Sequence, residues 1–268
     1  MTERPTHLRI ASFNIHHGAR ADGTLDLEGT AHTLEGIGAD VIGLQEVDRH
    51  YSSRSNFVDQ SRWLGERLGM HHEFVANVDL DPSGSSPLRR HYGLALLTRI
   101  PVVDLRHVFL PDPRVVERRG ALVATLDASG PGAEPRLLTV VVAHLATSPS
   151  RVRRAQFRAI REVLAPTGGE APRPAVLVGD LNAPAAHPLD YREFTGEFTD
   201  AWAARPGRRM PVLSALLRRL SGPTHPARRP FRRIDYVLAS PEIRVRSMHV
   251  VDSDASDHLP VVADLELP

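Results

Sequence analysis

Ala175–Pro184 reads AVLVGDLNAP. Its four leading apolar residues, Ala175 to Val178, have the length and bounds of a buried strand, and Gly179 leads from them to Asp180 and Asn182. Desolvating a carboxylate and a carboxamide at the end of a core strand is costly unless something pairs with them. The stretch therefore predicts a buried sheet and, elsewhere in the chain, a partner for its polar end.

The same pattern recurs on both sides of this strand. LRIASFNI (Leu8–Ile15) and ADVIGLQEV (Ala39–Val47) alternate and end in polar residues. Tyr92–Arg99, Gly120–Ala128, Arg136–Leu145, Arg233–Ser240 and Leu259–Leu267 are further strand-length apolar runs bounded by Gly, Pro, Asp and Ser. Helical spacing follows Ser148, read as an N-cap with Pro149 at the first helical position. There Phe157, Ile160 and Leu164 share one face, and Arg151, Arg154, Arg158 and Arg161 lie elsewhere. Leu27–Gly38 and Asp59–Gly69 read as helices too. Several strands follow one another with no helix between, which predicts mixed, mainly antiparallel sheets: two packed together with helices outside. Asp81–Pro87, Ser129–Pro135 and Pro166–Pro174 read as surface loops, and no repeat or linker divides residues 1–268, so a single domain is expected.

Composition narrows the chemistry. At 268 residues and 41% hydrophobic, the chain builds a core and is not a disordered protein. Cysteine is absent, which excludes disulfides, thiolate zinc sites and a cysteine nucleophile, so any metal is held by oxygen or imidazole. The net charge of +1 marks no nucleic-acid binder by itself, but all 33 basic residues are Arg and nine lie between Arg205 and Arg233 without one Asp or Glu. The first residues hold no apolar signal region, and the longest apolar stretch, around Leu137–Ala146, is too short to span a bilayer; a cytoplasmic location is the expectation.

Polar residues capable of metal or phosphate chemistry stand at the strand ends: Asn14, Gln45 and Glu46, His144, Asp180 and Asn182, with Asp257 and His258 just before the last strand. Ligands commonly sit where strand ends converge on loops. The set is hard and oxygen-rich, which suits Mg²⁺ with waters completing its shell; zinc would want more histidines close together, and adjacent His16 and His17 have the wrong spacing for one helix face.

Six stretches in order, SFNIHHG (12–18), GLQEVD (43–48), VVAHL (141–145), VGDLNA (178–183), RIDYVL (233–238) and SDHLPV (256–261), resemble the motifs of the endonuclease/exonuclease/phosphatase superfamily. These metal-dependent phosphoesterases include pancreatic-type deoxyribonucleases, abasic-site endonucleases, inositol polyphosphate 5-phosphatases and neutral sphingomyelinases. The similarity runs over essentially the whole chain and implies a four-layer αββα sandwich. Phosphate-ester hydrolysis needs neutralised oxygens, an in-line water and a proton for the leaving group. The resemblance implies Glu46 as the principal ligand of Mg²⁺ (or Mn²⁺), with Asn14 beside the metal and Asp257 contributing from the far end of the chain. For the base it leaves two assignments, His258 oriented by Asp235 or Asp180 itself, and His258 is preferred, because a histidine held by a carboxylate has its tautomer fixed and its pKa raised. Asp235 has the plainer alternative of pairing with Arg232 or Arg233. Asp180 positions the water in either case, and Asn182 donates its amide to a phosphate oxygen. His144 binds phosphate or protonates the leaving oxygen. Arg119, in ERRGAL, reaches the phosphate with a forked pair of bonds while Arg118 points to the other face. His16, His17, His91 and His225 are read as solvated or rim residues.

The substrate is the open question, because specificity lies outside the motifs. Trp202–Arg233 precedes IDYV and should overhang the site. Within it Met210–Leu220 writes as a short amphipathic helix, with Val212, Leu213, Leu216, Leu217 and Leu220 opposite Arg218 and Arg219. Such a segment suits an anionic lipid surface or a nucleic-acid backbone. Aromatic residues are only 5% of the chain, few for a protein that stacks bases, and Gly43–Met70 is similar to a bacterial branch allied to sphingomyelinase-like and lipid-remodelling members. The expected activity is Mg²⁺-dependent hydrolysis of a phosphoester, a phosphodiester of a small organic or lipid phosphate, by in-line attack of water. A nuclease using the same site is the alternative, a catalytically silent binding module is a third, and no obligate protein partner is expected.

Overall fold

Strands covered on both faces carry apolar side chains at consecutive positions. The computed structural model describes residues 7–83, 87–112, 117–130, 133–166, 172–206 and 221–268. One six-stranded sheet comprises β1 (His7–Asn14), β2 (Val41–Arg49), β3 (His71–Leu80), β4 (Arg90–Thr98), β11 (Arg244–Val250) and β12 (Val261–Glu266), in the order β11-β12-β1-β2-β4-β3. The other, also of six strands, comprises β5 (Val102–Phe109), β6 (Gly120–Asp127), β7 (Leu137–His144), β8 (Ala175–Asp180), β9 (Thr199–Asp200) and β10 (Asp235–Ala239), in the order β5-β6-β7-β8-β10-β9. The pairs β1–β2 and β7–β8 are parallel; the other paired strands run antiparallel.

Alternation sorts side chains into three apolar layers. Leu8 and Ile10 of β1 meet Val140, Val142, Val176 and Val178 between the sheets. On the outer face of the first sheet Ala11 and Phe13 pack under α1 (Leu27–Ile37) and α2 (Gln60–Leu68), through Leu34, Ile37 and Leu64. On the outer face of the second, Val141, Leu177 and Tyr236 pack under α3 (Ser150–Leu164) and α4 (Pro188–Phe194), through Phe157, Ile160 and Phe194. The result is the αββα sandwich. A one-turn helix, α5 (Ala201–Ala204), seals an end of the inter-sheet layer with Trp202.

The helix ends follow from their caps. Asp26 accepts from Gly29 N, Asp59 accepts from Arg62 N, and Gly38 and Gly69 close α1 and α2 in the left-handed conformation. The start of α3 departs from expectation by one residue: Pro149 is the extended N-cap (φ −83°, ψ 165°) and Ser150 the first helical residue, so Ser148 lies outside. Met210–Leu220 lies outside the described residues. No helix among the described residues is long and apolar enough to cross a membrane.

Candidate active site

Adjacent strands of the second sheet set three polar residues in one row. The register pairs His144 of β7 with Asp180 of β8, and Asp180 with Asp235 of β10. Gly179 makes the row possible: at φ +157°, a Cβ there would lie 2.0 Å from the carbonyl oxygen of Ala143. The first sheet ends at the same place. Asn14 closes β1, and a bulge in β2 between Leu44 and Val47 turns Glu46 toward the cleft at φ +58°. Gln45 turns inward instead, its Nε2 donating to Gly43 O at 3.3 Å. The loop before β12 is fastened beneath them, since Ser256 Oγ donates to Asn14 O at 2.7 Å and accepts from His258 N at 3.2 Å. A cleft of about 540 Å³ results, lined by Glu46, Arg119, His144, Asp180, Asn182, Asp257 and His258 among others. Two of its lining residues, Glu46 and Asn182, are non-glycine residues in the left-handed conformation.

Hydrogen bonds specify how these groups stand. Asn14 Nδ2 donates to Glu46 Oε1 at 3.0 Å and to Asp180 Oδ2 at 3.2 Å, while Asn14 Oδ1 accepts from His16 N at 3.1 Å. Asp180 Oδ2 also lies 3.6 Å from Nε2 of His144 and 3.6 Å from Nε2 of His258. His258 is held from behind by Asp235, with Nδ1 3.0 and 3.2 Å from the two carboxylate oxygens. Arg119 NH1 lies 2.8 Å from His144 Nδ1 and 3.0 Å from Glu117 Oε1.

The charges follow from burial and neighbours. Burial works against the charged form of His258, but Asp235 and Asp180 outweigh it and raise its pKa to about 10. Burial lifts Asp180 above the usual carboxylate range, with Asp235 adding to the shift and His258 opposing it. His144 is driven well down, by burial first and then by Arg119 and His258, so it is a neutral imidazole. An imidazolium between two carboxylates, a neutral histidine and an arginine thus face one cleft.

Every expected site residue reaches this end of the sandwich, and some stand differently than expected. Asn14, expected beside a cation, is fully buried with its oxygen turned to the His16 amide, and its Nδ2 links the carboxylates of Glu46 and Asp180. Asn182 Nδ2 donates to Leu145 O at 3.0 Å, which fixes its amide at the cleft wall. Asp235 takes His258 as partner, whereas Arg233 pairs with Asp200 (2.7 Å) and lies over the Tyr236 ring. Arg118 is exposed and sits over Phe109, although it and Arg119 lie just before β6 and not within a strand. His91 is drawn off to Asp79 at 3.0 Å. His225, read as solvated, packs on His258 with ring centroids 4.6 Å apart. Arg153 was missed: it lines the cleft and is only 5% exposed, paired through NH2 with Asp190 Oδ2 at 2.6 Å. Its spacing of i, i+4, i+7 with Phe157 and Ile160 carries the signal that it faces inward.

The sequence model of the Endonuclease/Exonuclease/phosphatase family matches residues 11–258. The chain belongs to that family and is a phosphoesterase. It is similar to an endonuclease/exonuclease/phosphatase from Beutenbergia cavernae, with 27% identity and a TM-score of 0.77 over 98% of this chain and 72% of that one. It is also similar to the mannosyl-6-phosphatase Bt3783 of Bacteroides thetaiotaomicron, at 18% identity and a TM-score of 0.71, over 96% of this chain and 99% of that one. Among curated proteins, Protein cwh43 of Schizosaccharomyces pombe is 33% identical over 141 residues, which are 52% of this chain and 12% of that protein's length.

Proposed function

We propose that the chain hydrolyses a phosphodiester of a small organic or lipid phosphate with the help of Mg²⁺, using Asp180 as the acceptor of the water proton. The observation that carries this reading is the position of Asp180 Oδ2, 3.6 Å from both His144 and His258 at the floor of the cleft. His258 already holds its proton between Asp180 and Asp235, so it is poorly placed to take another. The carboxylate, its proton affinity lifted by burial, is the better base near neutrality. This favours the second of the two assignments open from sequence.

The donor set fits a hard cation. Glu46 turns a carboxylate to the cleft with the Asn14 amide as its hydrogen-bond partner, and the one-third-exposed carboxylate of Asp257 lines the same cleft. Glu46 and Asp257 would hold the ion. Bound there, Mg²⁺ would neutralise charge on the phosphoryl and leaving oxygens, so that the departing oxygen could take its proton from solvent water. The remaining tasks fall to the chain's own groups. Arg119 and the Asn182 amide would bind the non-bridging oxygens, and neutral His144 would donate a hydrogen bond to the phosphate, since burial denies it the proton a leaving-group acid requires. His258, still protonated, would balance the charge on Asp180 before the water is deprotonated.

A cleft of about 540 Å³ suits a headgroup-sized ligand. The rim supports a lipid source, because Phe231 is 68% exposed and Arg232, which lines the cleft, lies over its ring at 5.0 Å. The test is hydrolysis of bis(4-nitrophenyl) phosphate, phospholipids and supercoiled plasmid with Mg²⁺ or EDTA. The expected result is Mg²⁺-dependent cleavage of the diester and of lipid, with kcat about 10²–10⁴-fold lower in folded Asp180→Asn. Nicking of plasmid in preference to both would replace this reading with that of a nuclease.

A further inference from the structure

We propose that His225 is a positioning residue that covers the open face of the His258 ring and holds it in line with Asp235 and Asp180. The proposal rests on the phosphoesterase reading of the cleft. Asp235 grips His258 at Nδ1 and Asp180 stands 3.6 Å from Nε2, and contacts at the two nitrogens leave the imidazole free to tip about the line that joins them. The His225 ring stops the tipping. Its centroid lies 4.6 Å from that of His258, with 44° between the planes, within the range of stabilising aromatic pairs.

His225 is fastened to the same groups it would hold in place. His225 N and O exchange hydrogen bonds with Arg232 O and N, each 3.0 Å long, which closes a hairpin just ahead of β10. Its neighbour Thr224 receives Leu259 N on its carbonyl at 2.8 Å and Asp235 N on Oγ1 at 3.4 Å. Ala227 N donates to Asp257 O at 2.7 Å. The hairpin is thus bonded to the residue after His258 on one side and to Asp235 on the other. The ring does not serve as a solvated surface histidine: its side chain is 27% exposed, Nδ1 is buried with no hydrogen-bond partner among the described residues, and Nε2 lies 3.8 Å from Asp257 Oδ2.

A purely polar role would need the Nε2 approach to Asp257, whereas the positioning role needs a flat ring. Three variants separate them: His225→Phe keeps the ring, His225→Gln keeps a polar reach, and His225→Ala keeps neither. On bis(4-nitrophenyl) phosphate with Mg²⁺, Ala and Gln should each lower kcat by about tenfold with KM within about twofold, and Phe should stay within about threefold of the parent. Thermal melts confirm that the variants are folded; if Ala is not, the comparison of Phe with Gln decides. Equal kcat in all three, recovery by Gln but not by Phe, or a rise in KM alone would overturn the proposal. NMR of the EDTA-treated protein provides a readout that needs no turnover. The His258 Hε1 resonance should shift in Ala and Gln through loss of the neighbouring ring current and stay near its place in Phe; no shift in any variant also overturns it. An inactive parent with these shifts present would count against the proposed substrate and leave the stacked pair standing.

Discussion

Asn14 has no charge, yet it settles where two charges stand. Its single amide group is shared by Glu46 and Asp180, carboxylates from different sheets. Asn14→Ala would leave both with a lost partner in a buried setting, at a cost of about 1–3 kcal/mol read from urea denaturation in EDTA. Added Mg²⁺ should recover part of that loss by neutralising Glu46. His258 gives a prediction in pH. A histidine whose folded pKa is raised stabilises fully below its ordinary value of 6.5, and the contribution disappears as pH rises through about 10. In EDTA, the stability difference between the parent and His258→Gln should therefore shrink between those limits, as followed by urea midpoints. A difference that grows across the window would mean that His258 is neutral in the fold.

Among the elements, α3 and α4 are joined over the second sheet by a buried ion pair. Arg153 meets Asp190 through Nε and NH2, and Ser150 Oγ adds a bond to the same carboxylate at 2.6 Å. Asp190→Ala would strand Arg153 without its carboxylate beside the cleft and should cost about 3–5 kcal/mol by urea denaturation. The strands show what sequence can reveal. All eight runs read as strands, from Leu8–Ile15 to Leu259–Leu267, are inner strands of the two sheets, where continuous or alternating apolar residues leave a clear trace. The strands not recognised, β3, β5, β9 and β11, are the four edges. Their apolar residues do not form a continuous buried run, as in Val102–Phe109, where Asp104 and Arg106 face water alongside exposed Val103 and Phe109, and β9 is only two residues long. The same reason hides His225: a residue in a hairpin has no periodicity to place it, and its contact with His258 is made across 33 residues, the difference between positions 258 and 225. Asp180, Asp235 and His144 were legible because each ends or begins an inner strand. The exchange of Gln45 for Glu46 at the cleft depends on a bulge, which alternation alone does not foretell.

For the whole molecule, the cation and the fold should be linked. An ion bound by Glu46 and Asp257 draws residues from β2 and from the loop before β12 together, and a ligand bound only by the folded state stabilises it by mass action. Mg²⁺ at about one hundred times its dissociation constant should add about 2.7 kcal/mol, visible as a rise in melting temperature that EDTA reverses and that Glu46→Gln abolishes. An equal rise in the variant would place the ion elsewhere. The route of the chain gives this linkage a further consequence. Asp235–Glu266 lays β10 beside β8 in one sheet and β12 beside β1 in the other. Each sheet lacks an inner strand until this one segment has docked, and the segment brings Asp235, Asp257 and His258 with it. The segment thus works like a latch, since its docking both completes the two sheets and supplies three residues of the cleft. A partly folded chain, with its loose strand edges still open, would be unable to attack the phosphates around it.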